Sequence, residues 1–161
     1  MREKLWNLLD KTRFEYEYLQ EYKSFLEKCQ MGVAVVMSIV CFAVVNLSVL
    51  FSEMALVWSL LLILLGLAAV ILDKMGIAGR LTVLKLYLPI MSKRLDAFHV
   101  DWMTVQTTDK CTQELRELFT KHMLQFSELS DIYLQDLHLP PHKRSAEKAS
   151  KHTKMWAEYL S

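Results

Sequence analysis

Forty uncharged positions, in two runs that almost touch, decide what this chain can fold into. Residues 31–51 are twenty-one in a row without Asp, Glu, Lys, Arg or His, and residues 54–72 are nineteen more. Only Ser52 and Glu53 separate them. A helix needs about 20 apolar residues to cross the hydrocarbon of a bilayer, so each run has the length of a span. All nineteen Lys and Arg lie outside residues 31–72. An overall net charge of +1 therefore averages two unlike parts. The competing arrangement, a core hairpin of a soluble protein, leaves too little chain to cover two helices that are apolar all round.

These runs predict an all-α membrane protein: a two-helix transmembrane hairpin (31–51 and 54–72), an amphipathic N-terminal helix (1–30) and a mostly helical cytoplasmic C-terminal domain (73–161). A cleaved leader is not expected, because thirty residues with six acids precede the first run and the second follows at once. Lys23, Lys28, Lys74, Arg80 and Lys85 flank the runs, whereas the turn carries only Glu53. Loops rich in Lys and Arg stay in the cytoplasm. Both termini are thus expected inside an inner membrane, with Glu53 outside.

Within 1–30, Leu5, Leu9, Thr12, Tyr16, Leu19 and Leu26 recur at steps of three, four or seven, and Phe14, Tyr18, Tyr22, Phe25 and Cys29 widen the face. Two such rows need a partner. It is either the C-terminal part of the same chain or another copy in an oligomer.

Beyond the runs, Asp73 to Gly79 holds two of the four glycines and predicts a helix end or bend. Leu81 to Met91, interrupted by Pro89, reads as an interfacial helix, a core-facing element or a short strand. From Asp109 an amphipathic helix is expected to about Leu137, with Leu115, Leu118, Phe119, His122, Phe126, Leu129 and Tyr133 on one face. Thr107, Thr108 and Asp109 are its candidate N-caps, and Glu114 is well placed for the first turn. Pro140 and Pro141 break the chain. A last helix then runs to Leu160 with Ala149, His152, Trp156 and Tyr159 as its apolar row.

No glycine-rich phosphate loop, nucleophile elbow or paired metal spacing occurs, and Cys29, Cys41 and Cys111 form no redox or disulfide pattern. Catalysis, a metal and a cofactor are not expected. His122, set in an apolar row, reads as a core histidine. Two polar features remain. In the first run, Ala34, Ser38, Cys41, Val45 and Ser48 form a small-residue row beside Asn46. It serves either helix packing or, in an oligomer, a pore lined by Ser38, Asn46 and Ser48.

The second feature is His142 to Lys154, which carries five bases and two histidines against one acid. Pro141 sets His142 to Ser145 at a helix start whose free N–H groups attract anions, and Arg144 supplies a planar guanidinium. Three readings stay open: a solvated face, a face on anionic lipid, or a site for a phosphate-bearing ligand. Trp102, Tyr133 and Trp156 are aromatic residues able to stack on bases. Recognition of double-stranded nucleic acid is not expected.

The order of an amphipathic N-terminal helix, a hairpin from Met31 to Leu72 and a helical tail ending in HLPPHKRSAEKASKHTKMWAEYL resembles the small two-span membrane effectors of bacterial antiphage defence. These include SLATT-type proteins and the membrane effectors associated with type III CRISPR systems. The resemblance implies an oligomer in the bilayer that a nucleotide second messenger gates to damage the membrane. It further implies that His142, Lys143, Arg144, Lys148, Lys151 and His152 hold the phosphates of a cyclic oligoadenylate. The alternative is a non-catalytic membrane scaffold or assembly subunit that recruits a protein partner.

Overall fold

The computed structural model describes residues 1–50, 55–74, 76–108, 111–135, 139 and 141–160. Among them are five helices and no strand: α1 (Arg2–Leu50), α2 (Ala55–Lys74), α3 (Ile77–Thr107), α4 (Thr112–Leu134) and α5 (Lys143–Leu160). The chain divides into two compact units, Met1–Ser24 with Thr82–Ser161, and Phe25–Leu81. The expected boundary at residue 30 falls inside α1, because nothing in Lys28 to Val33 stops a helix: the charges end there, but no proline does.

The first unit is built on a three-and-four repeat. Along α3, Leu84, Leu88, Met91, Leu95, Phe98, Trp102 and Val105 are all buried, which places them in one stripe of the kind that packs helices side by side. Its heptad-like partner on α1 is Leu5, Leu9, Thr12 and Leu19, and on α4 Leu115, His122 and Leu129. Leu5, Leu9, Leu95, Phe98, Trp102, Val105 and Leu115 form one continuous core. Leu9 and Leu84 expose none of their surface, so truncating either to Ala costs about 2–5 kcal/mol. Pro89 sits inside α3, where it deletes the bond to the Lys85 carbonyl without ending the helix. Residues 81–91 are therefore helical, and the strand alternative is overturned because their buried positions follow period 3.5 rather than two.

Two expected helix ends move. Thr107 closes α3 instead of opening α4; the N-cap of α4 is Cys111, whose N–H donates to the Glu114 carboxylate at 3.3 Å. Glu114 thus does the work expected of a first-turn acid, while Asp109 lies outside the described residues. The C-terminal end of α4 is Leu134, three residues short of the expected end.

In the second unit α1 continues through the first apolar run and α2 carries most of the second. Among the described residues α1 alone is long and apolar enough to cross a membrane, and Leu56–Val70 is a shorter apolar stretch. Only 6% of the most apolar window of α1 is buried. Val33, Met37, Val40, Val44 and Ser48 form its half-buried to buried stripe, whereas Ala34, Ser38, Cys41 and Val45 of the expected small-residue row are exposed. Ser48 is the one member of that row in the stripe, while the large Ile39 and Phe42 are exposed. Gly76, with φ +68°, follows α2, and its carbonyl accepts from the Arg80 N–H at 3.0 Å to open α3. Left-handed backbone suits glycine here, as any other L-residue pays about 1–2 kcal/mol. Ser52 and Glu53 lie outside the described residues.

Candidate functional site

Helix α5 begins on an internal cap. The Ser145 N–H donates to His142 Nδ1 at 3.2 Å, and Ser145 Oγ lies 2.8 Å from the same nitrogen. Nδ1 is therefore the acceptor of the backbone bond. The His142 N–H donates to the Tyr18 hydroxyl at 3.2 Å, and its ring meets Tyr22 edge-on with centroids 6.3 Å apart. One of the N–H groups expected to await an anion is thus occupied by the histidine expected to bind it.

The buried row of α5 is Ser145, Ala149 and Thr153, small side chains that let the helix lie close to its neighbours. His152, expected in the apolar row, is half exposed instead, with Nδ1 3.5 Å from Glu17 Oε2. The shift is one residue: Thr153 takes the buried position beside Ser145 and Ala149. Glu17, which reads as a surface charge, is buried and lies 2.6 Å from Arg13. The Arg13 guanidinium is also 5.5 Å from the Trp156 ring centroid. Lys148 Nζ reaches Glu21 Oε2 at 2.9 Å. The two acids one turn apart on α1 therefore face two of the six basic positions on α5.

Lys143, Arg144 and Lys151 are exposed. Arg144, Lys148 and Lys151 follow at steps of four and three and share one face of the helix. The structure thus gathers the basic positions on α5 but divides them: three open to solvent, two held by carboxylates, and His142 in the cap. The aromatic residues singled out for stacking are already occupied. Trp156 stacks on Trp6, Trp102 is buried and tilted against Trp6, and Tyr133 meets Tyr87 edge-on.

In the second unit the polar side chains close on their own helix. Ser38 Oγ donates to the Ala34 carbonyl at 2.8 Å, Asn46 Nδ2 to Phe42 at 2.7 Å, and Ser48 Oγ to Val45 at 2.7 Å. Ser38 and Asn46 are exposed and Ser48 is half-buried. Such back-bonding satisfies a polar group where no water is at hand.

One cluster was not read from the sequence. Asp101 on α3 accepts from His122 Nε2 at 2.9 Å and from Lys121 Nζ at 3.1 Å. His122 is buried and stacked on Phe98 with centroids 4.1 Å apart, as a core histidine is expected to be. Burial opposes charge on both partners. It holds His122 below the usual imidazole range, and Asp101 stays below the usual carboxylate range because the bonds from Lys121 and His122 outweigh desolvation. His122 Nδ1 has no hydrogen-bond partner among the described residues. Asp101 precedes Trp102 of the α3 stripe, but no local pattern links it to His122 on α4. Among the described residues, no three His, Cys, Asp or Glu side chains are placed to hold a metal.

No protein-family model, no curated protein and no solved structure matches this chain.

Proposed function

We propose that the chain is an oligomeric membrane effector that crosses the bilayer as a hairpin of α1 and α2, keeps both termini in the cytoplasm and is gated by an anionic ligand at α5. A cyclic oligoadenylate is the ligand class that the resemblance to two-span defence effectors implies. The observation that carries the reading is the pairing of Lys148 with Glu21 and of His152 with Glu17. Glu21 holds Lys148 on the face that Arg144 and Lys151 leave open, and Glu17 lies beside His152, so a ligand bearing several phosphates competes with acids already in place. Arg144 and Lys143 make first contact, and capture of Lys148 releases Glu21. Helix α1 carries both acids and the apolar stretch in one unbroken helix, so ligand binding at α5 bears on the element that enters lipid. A ligand gates only by binding one state better than another, and the exchanged ion pairs supply that difference.

Support for the bilayer as a partner comes from large apolar side chains turned outward: Phe42 is 73% exposed and Leu56 86%. Apolar surface of this extent marks a contact with membrane or protein. Titrating the purified protein in detergent with cyclic oligoadenylates of different ring size tests the ligand. The reading predicts saturable binding by one of them that is lost when Lys143→Ala and Arg144→Ala are combined. Absence of binding, or binding indifferent to the double change, removes it.

A scaffold is the second reading. Val100 and Ile132 of the first unit are exposed apolar side chains available to a protein partner. A neighbouring gene for a second-messenger synthase supports the effector, and a transporter or secretion operon supports the scaffold.

A further inference from the structure

Between α1, α3 and α4 the first unit holds a half-open cavity of about 260 Å³. Four aromatic residues line it, Phe14 and Tyr18 from α1, Tyr87 from α3 and Phe126 from α4, together with Glu15 and Ser130. Its volume is slightly below the roughly 300–1,000 Å³ of pockets that take drug-sized ligands, so it suits a smaller molecule. Among the described residues, Glu15 is the only acid in the lining.

We propose that this cavity binds a small organic cation, an alkyl or quaternary ammonium held by the aromatic rings and countered by the Glu15 carboxylate. Aromatic faces attract ammonium groups through the ring quadrupole, and a methylated ammonium gives up its weak hydration more readily than a metal ion does. A metal is disfavoured, because a hard cation asks for about six oxygen ligands and the lining offers one carboxylate with a few hydroxyls. A neutral apolar guest is disfavoured too, since it would cover a carboxylate without answering its charge.

The present partners of Glu15 leave room for such a guest. Lys11 lies 3.8 Å away on the same helix, and both side chains are more than half exposed, a pair worth little to stability. The Arg94 guanidinium, whose charge acts on Tyr87, is bonded to the Gln125 carbonyl. Burial, with Glu15 nearby, pushes the Tyr87 hydroxyl up to about 12, so it remains a neutral donor in the lining.

The test compares choline with its uncharged isostere 3,3-dimethylbutan-1-ol. The whole chain is titrated in a maltoside detergent, which has no choline headgroup, and binding is followed by calorimetry or ligand-observed NMR. Choline is expected to bind saturably and about tenfold tighter than the alcohol, with Glu15→Gln erasing that margin. Phe126→Leu, a change of ring for branch that keeps the apolar volume, should weaken choline several-fold while the helical circular dichroism stays unchanged. Equal affinity for the two probes overturns the proposal, as does choline binding that Glu15→Gln and Phe126→Leu both leave intact, or no saturable binding in the millimolar range. Oligoadenylate binding at α5 is measured separately, so either site can fail alone.

Discussion

The Trp6 indole lies flat on Trp156, with ring centroids 5.8 Å apart and planes 3° from parallel, and so joins the two ends of the chain. Arg13 adds its guanidinium to the other contacts of Trp156. The buried row of α5 itself is made of small residues, so this indole is the largest apolar anchor the helix has. Trp156→Ala is expected to cost about 1–3 kcal/mol, below a full core truncation because the ring is half-buried. Limited proteolysis in residues 135–142 should accelerate, and α1 should keep its helical signal.

The acids on α1 oppose an anion on α5. Replacing both, Glu17→Gln with Glu21→Gln, is expected to tighten binding of an anionic ligand about two- to fivefold, the equivalent of roughly 0.5–1 kcal/mol. The gain should shrink as salt is raised. A calorimetric titration at two ionic strengths checks both parts.

In the proposed membrane arrangement the outward side chains of the apolar stretch face lipid, so charge there is costly. Phe42→Lys, near the middle of residues 31–51, is expected to oppose insertion by about 2.5–3.5 kcal/mol. Leu124→Lys, on an exposed position of α4, should leave insertion unchanged. The fraction of each variant that resists alkaline extraction from membranes gives the comparison.

Acid should loosen the first unit through His122. Its folded-state pKa lies below the ordinary value of 6.5, so the unfolded chain takes up the proton first as pH falls. Stability is then lost on going down through 6.5 toward the lower folded value. Asp101, also lowered, keeps its contribution above its ordinary 3.8 and loses it only as pH falls through its folded value. Thermal unfolding in detergent should show a lower Tm at pH 5.5 than at pH 7.5, and His122→Gln should flatten that slope while lowering the Tm at pH 7.5.

Helix positions were legible where apolar spacing was regular. The rows of α1 and α4 follow directly from Leu5 to Leu19 and from Leu115 to Leu129, and the packing of the N-terminal helix on the C-terminal part of the chain was one of the two expected outcomes. The α3 stripe was read only as far as Met91, since Pro89 and the run Leu86-Tyr87-Leu88 obscured a repeat that continues to Val105. Three further features depended on distant partners. Glu17 and Glu21 look like solvated charges until α5 brings His152 and Lys148 to them. His152 and Thr153 both fit a helical row, and the choice between them is made by packing against α1, which buries Thr153 and leaves His152 beside Glu17. Asp101 and His122 are 21 residues apart on different helices, a separation that no local pattern spans.

The central claim is that residues 31–50 lie in lipid, and the native cysteines test it. Cys41 and Cys111 are both exposed in the chain itself, so protein packing shields neither. The protein is placed in nanodiscs, whose two faces are open to solvent, and treated with a membrane-impermeant maleimide. The account predicts rapid labelling of Cys111 and protection of Cys41 until the lipid is replaced by denaturant. Labelling of the two at the same rate in intact nanodiscs would contradict it.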